Sequence, residues 1–135
     1  MSIAYWIIYY SSLFGMSPAL VGAIVEHESR CNAQAIGNIG EVGLMQIRPE
    51  YTPVSRHMLL DPKVNIIIGI NKLLEAKKYC RHKKDNTFVV CFNAGIVGGN
   101  KIKNPYRTKY YKDINRLYKL KRIHCVKNST LQTRK

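Results

Sequence analysis

Ser17-Pro18-Ala19-Leu20-Val21-Gly22-Ala23-Ile24-Val25-Glu26-His27-Glu28-Ser29 is the stretch on which the reading of this chain turns. Serine followed by proline opens a helix, because a serine hydroxyl caps a free N–H and proline at the first helical position loses nothing. Leu20, Val21, Ile24 and Val25 then fall at the spacing of one buried stripe. Glu28 continues that stripe, whereas Glu26 lies on the far side, so the two carboxylates are not a catalytic pair. An acid drawn toward an apolar wall is expected to have a raised pKa and to keep its proton near neutrality, as a general acid must. The plainer alternative is a solvated acid at a helix end.

Composition sets the outer bounds. A chain of 135 residues forms one domain with a core large enough to need no metal or disulfide. The expected domain is 1–126, with a polar basic tail over 127–135. The net charge of +14 is uneven: residues 1–100 carry ten Lys/Arg against seven Asp/Glu, and residues 101–135 carry twelve against one. Such a basic third suits an anionic partner: wall polymer, anionic membrane or lipopolysaccharide, or nucleic acid through 101–135. A solvated basic face is the alternative.

Met1–Tyr10 lacks the basic start and cleavage site of a signal peptide and is too short to span a bilayer. Trp6 or Ile7, Tyr10, Leu13 and Phe14 fit a first core helix, so no export address is expected. Cys31, Cys80, Cys91 and Cys125 have no C-x-x-C spacing, and the histidines form no metal-ligand pattern. Unpaired core thiols are expected, consistent with a reducing cytosol, although the even count permits a disulfide.

The remaining signals are helical. After a glycine-bearing loop over 37–43 comes a short helical turn near Leu44–Ile47. Asp61-Pro62 opens a long helix through Ile66, Ile70 and Leu73, with Lys77–Lys84 as its basic end. Asn86 caps a helix over Thr87–Ala94 that Gly95 ends, and Gly98-Gly99 reads as a flexible turn. Tyr110, Ile114 and Leu117 share a face of the last helix. The fold class is all-α, about six helices with at most a small β-hairpin around 36–43.

Glu28-Ser29, then Gly43-Leu44-Met45-Gln46-Ile47, then Phe92-Asn93-Ala94-Gly95, and finally Tyr110 resemble the successive motifs of the soluble lytic transglycosylase domain, a lysozyme-like fold. The resemblance spans roughly residues 3–120 and implies cleavage of the MurNAc–GlcNAc β-1,4 bond of peptidoglycan, with no cofactor and no metal. Glu28 would protonate the leaving oxygen while positive charge develops at the anomeric carbon. Family members use the substrate's own N-acetyl group in place of a second carboxylate. The ionised glutamate then takes a proton from the C6 hydroxyl, and ring closure leaves a 1,6-anhydro end.

By the same resemblance Ser29 fixes the helix end and substrate, Gln46 bonds the sugar, Met45 is core or floor of the cleft, Asn93 lines it, and the Tyr110 hydroxyl points at Glu28. Gly43 and Gly95 are backbone necessities. Phe92 stands where the family usually has tyrosine, and Tyr106 where many members have glutamate, which puts positioning and rate in question. One alternative is a hydrolytic lysozyme with Glu41 directing water. Another, of a different class, is a non-catalytic basic module that binds wall or DNA. The expected carrier is a bacteriophage. The product would be made in the host cytoplasm, virion-associated with other virion proteins as partners or released through a holin as an endolysin, and would act in the periplasm.

Overall fold

Short polar caps followed by proline set where two of the main helices begin. The structure, a computed structural model, describes residues 1–122 and Cys125. Within them lie α1 (Ile3–Phe14), α2 (Pro18–Ser29), α3 (Arg56–Leu59), α4 (Pro62–Tyr79), α5 (Val89–Lys101) and α6 (Lys109–Lys119). The Ser17 hydroxyl accepts the Leu20 N–H at 3.2 Å and Asp61 accepts the Lys63 N–H at 2.8 Å. Each satisfies a donor that a helix start leaves without a partner. Arg30 and Cys31 both take left-handed backbone, φ 51° and 65°, which stops α2 directly after Ser29.

Helix α2 packs on α1 and α6, while α4 packs on α1, α3 and α5. Leu20, Ile24, Ile66, Ile70, Leu73 and Ile114 are buried between them. The architecture is all-α, as the periodicity indicates. Its β content among the described residues is two isolated antiparallel bridges, Ile36 to Val42 and Val42 to Ile47. The polar tail expected over 127–135 lies outside the described residues. No helix among those described is long and apolar enough to cross a membrane.

Several local expectations are corrected. Residues 44–47 form a turn that folds back on Val42, not a helical turn. Helix α4 ends at Tyr79, with Cys80 as its C-cap. Asn86 does not cap α5; it lies in a 3-10 turn, Lys84–Asn86, with a left-handed φ of 61°. Gly95 (φ 81°, ψ 162°) breaks α5 without ending it, so Gly98 and Gly99 are helical and not a flexible turn. Gly99 sits where a Cβ would strike Cys91, so tertiary packing overrides the low helix propensity of the pair. In α1 the buried line is Ile3, Ile7 and Ser11, while Leu13 faces solvent.

The cysteines are the largest correction. All four are paired, Cys31 with Cys125 and Cys80 with Cys91, so none is an unpaired core thiol. The first bridge spans 94 residues and ties the end of α2 to the chain after α6. The second joins the end of α4 to the first turn of α5. Closing so long a loop stabilises mainly by restricting the unfolded chain. Cys31→Ser is expected to cost about 2–4 kcal/mol, read as a lower urea midpoint. An unchanged midpoint would show that the bridge contributes nothing.

Candidate active site

Because α2 stops at Ser29, its last turn delivers Glu28 to the wall of a groove of about 650 Å³. The 37–48 segment contributes Glu41, Gln46, Ile47 and Arg48 to that groove. Helix α4 adds Lys72, Glu75 and Ala76, and the first half of α5 adds Phe92, Asn93 and Gly95. The kink at Gly95 turns the α5 backbone along the groove edge. Its φ and ψ lie in a region that essentially only glycine enters.

Glu28 is partly buried, and loss of hydration pushes its pKa up from 4.5 to about 7. The negative charge of Glu41 acts in the same direction, as does the C-terminal end of α2, where the helix dipole disfavours an anion. One interaction opposes them. The Tyr110 hydroxyl donates to Glu28 Oε2 at 2.8 Å, which favours the ionised form. Burial, together with the Glu28 carboxylate, holds the Tyr110 phenol well above its usual range, so it remains a donor. His27 packs edge-on against the Tyr110 ring at 5.2 Å. Burial lowers the pKa of His27, so at neutral pH it is an uncharged neighbour.

The other residues divide in two. Gln46, Phe92 and Asn93 line the groove with Glu28. Gln46 has a left-handed φ of 52°, and its amide donates to Gly43 O at 3.0 Å and Ala35 O at 3.2 Å. The loop's own backbone therefore holds that side chain at the wall. Ser29 and Met45 do not reach the groove lining. Ser29 is buried and donates to Val25 O at 3.0 Å inside its own helix. Met45 is fully buried against Gly69 of α4. Tyr106 faces away from Glu28 and donates to Asp85 Oδ2 at 2.8 Å.

Sequence reasoning missed Asn65. This fully buried residue of α4 accepts the Met45 N–H at 2.8 Å and donates to Val42 O at 2.8 Å and Leu59 O at 2.9 Å. It thereby clamps the loop that carries Gln46. The available signal was a polar side chain on the buried stripe of a long helix. Gly43 (φ 77°) lies so close to Asn65 and Leu59 O that a side chain there would displace the clamp. Among the described residues no group of three His, Cys, Asp or Glu side chains is placed to hold a metal ion.

A helical, lysozyme-like domain built around one partly buried glutamic acid at a groove is thus defined by fold and site. The model of the family described as the transglycosylase SLT domain matches residues 6–115, and the chain belongs to that family. It is a family of lytic transglycosylases, glycan-cleaving lyases whose substrate is peptidoglycan. No curated protein matches the chain.

Proposed function

We propose that this chain cleaves the MurNAc–GlcNAc β-1,4 bond of peptidoglycan with Glu28 as acid and then as base, leaving 1,6-anhydro-MurNAc ends. The observation that carries the reading is the placement of Glu28, partly buried at the groove wall with its carboxyl bonded by the Tyr110 hydroxyl. A carboxyl poised near pH 7 at a groove wall can give a proton to a leaving oxygen and then take one from a C6 hydroxyl. Tyr110 steadies the ionised form between the two steps. Mass spectrometry of digested sacculi tests the reading, since anhydro ends support it and reducing ends oppose it.

The runner-up is a hydrolytic lysozyme, favoured by the presence of Glu41 in the same groove. That carboxylate already accepts the Ile39 N–H at 3.0 Å, which binds it to its own loop. Glu41→Gln separates the two readings. Anhydro-end formation is expected to persist in this variant, whereas a water-directing carboxylate would be indispensable.

Tyr110→Phe removes a hydrogen bond to a charged group, worth about 1.5–3 kcal/mol or roughly 10- to 100-fold in rate. The lost bond favoured the carboxylate, so Glu28 should hold its proton to higher pH. The alkaline fall of kcat/KM, expected near pH 7 in the native enzyme, is therefore expected to move upward in the variant. A lower rate with an unmoved profile would assign Tyr110 a packing role only.

The carrier we infer is a bacteriophage, with the enzyme working in the periplasm as a virion component or an endolysin. Two disulfides suit an oxidising compartment better than a reducing cytosol, which supports the place of action. Detection of the chain in purified particles would favour the virion role, and its secretion by uninfected cells would sink both.

A further inference from the structure

Behind α6, on the side away from Glu28, lies a second groove of about 1040 Å³ that shares no lining residue with the first. Helix α6 presents Tyr111, Ile114 and Leu117 to the core. Its exposed Lys112, Arg116 and Lys119 fall about one turn apart along this groove, with axial steps of about 6 and 4.5 Å. Lys77 and Lys83 close the other side. Arg116 is within 3.8 Å of Asp113, and Lys83 Nζ donates to the Lys77 and Lys78 carbonyls. Lys77, Lys112 and Lys119 make no ion pair among the described residues. Asp85, the groove's acidic residue, has its carboxylate engaged by the Tyr106 hydroxyl.

A row of cations in a trench fits an anionic chain, and the surroundings narrow which one. The bases of a single-stranded nucleic acid are held largely by stacking on open aromatic faces. Here the Tyr118 ring is capped by the Lys121 ammonium at 3.5 Å, and Tyr106 and Tyr111 meet edge to face with both hydroxyls bonded to Asp85. A lipid surface needs exposed apolar side chains to insert. The groove's aliphatic and phenyl contribution is Phe88, which is buried.

We propose that this second groove binds a phosphodiester-linked polyol or sugar polymer of the bacterial wall, holding the enzyme on its substrate while the Glu28 groove works the glycan. The wall as the setting rests on the function proposed above; the charge and shape of the groove do not.

The test uses the full chain carrying Glu28→Gln, so that the wall is not digested. Its co-sedimentation is measured with walls bearing poly(glycerol phosphate) and with the same walls stripped by hydrofluoric acid, which breaks phosphodiesters. Stripping is expected to weaken retention roughly tenfold or more, and so is Lys77→Glu/Lys112→Glu/Lys119→Glu on unstripped walls, with a shallower dependence on salt. In the otherwise native background that triple variant is expected to keep its helical circular dichroism and its release of anhydro ends from short soluble glycan. Equal retention on stripped walls, or an unaffected triple variant, would overturn the proposal. So would tighter binding to single- or double-stranded DNA or to phosphatidylglycerol vesicles. If retention behaves as expected and no anhydro product forms with the native enzyme, the groove assignment stands and the catalytic reading fails.

Discussion

Glu28→Gln is expected to abolish nearly all release of anhydro-muramoyl ends from sacculi, a fall of about 10³-fold or more, while the fold survives. Glutamine keeps the shape and hydrogen-bonding of the side chain but cannot pass a proton in either direction. The same substitution has a second consequence of opposite sign. The folded protein holds the Glu28 proton up to about pH 7, against 4.5 for the free side chain, so between those values it binds more protons than the unfolded chain. Wild-type stability therefore falls as pH rises from about 4.5 through about 7. Glutamine does not titrate, and at pH 8 the variant is expected to be more stable than wild type by on the order of 1–3 kcal/mol. Thermal unfolding at pH 4 and pH 8 reads this directly. A variant that is inactive and equally destabilised at both values would mean that the acid is structural.

The largest expected loss of stability comes from Asn65→Leu. Leucine fills similar space but leaves the Met45 N–H and the Leu59 carbonyl buried without partners, while the Val42 carbonyl keeps only the Ile47 N–H at 3.0 Å. Each orphaned group costs about 1–3 kcal/mol, and partial relaxation brings the expected total to about 3–5 kcal/mol. In a domain of this size that lowers Tm by about 10–15 °C. Activity measured well below the transition is also expected to fall, because the clamp positions Gln46. A loss below about 1 kcal/mol would show that the packing of Met45 holds the loop unaided.

The parts of the fold legible beforehand were those written in local code. Ser17-Pro18 and Asp61-Pro62 announce α2 and α4, and the apolar period carries Glu28 onto the inner face of its helix. The meeting of Glu28 and Tyr110, 82 residues apart, came from motif order and not from periodicity. The cysteine pairing was not legible, because nothing local brings Cys31 within 5.5 Å of Cys125 across 94 residues. Gly98-Gly99 misled for the opposite reason. Glycine's weak helix propensity argued for a turn, yet α5 needs a residue without a side chain where it crosses Cys91. Ser29 and Met45 belong to the motif by spacing, but the folded chain employs them inside the protein. Asn65 was visible as a polar residue on an apolar stripe, and only its three partners give that oddity a purpose.

Gly69 leaves a notch in the middle of α4, and the Met45 thioether lies in it. A Cβ at that position would press on the Met45 side chain, its Cβ included, and drive the Gly43–Gln46 loop outward. The clearance available to an incoming sugar strand is therefore governed partly by an absent methyl group on a helix that the strand need never touch. Selection on how wide this mouth opens can act through the blank site as readily as through the side chains that meet the substrate.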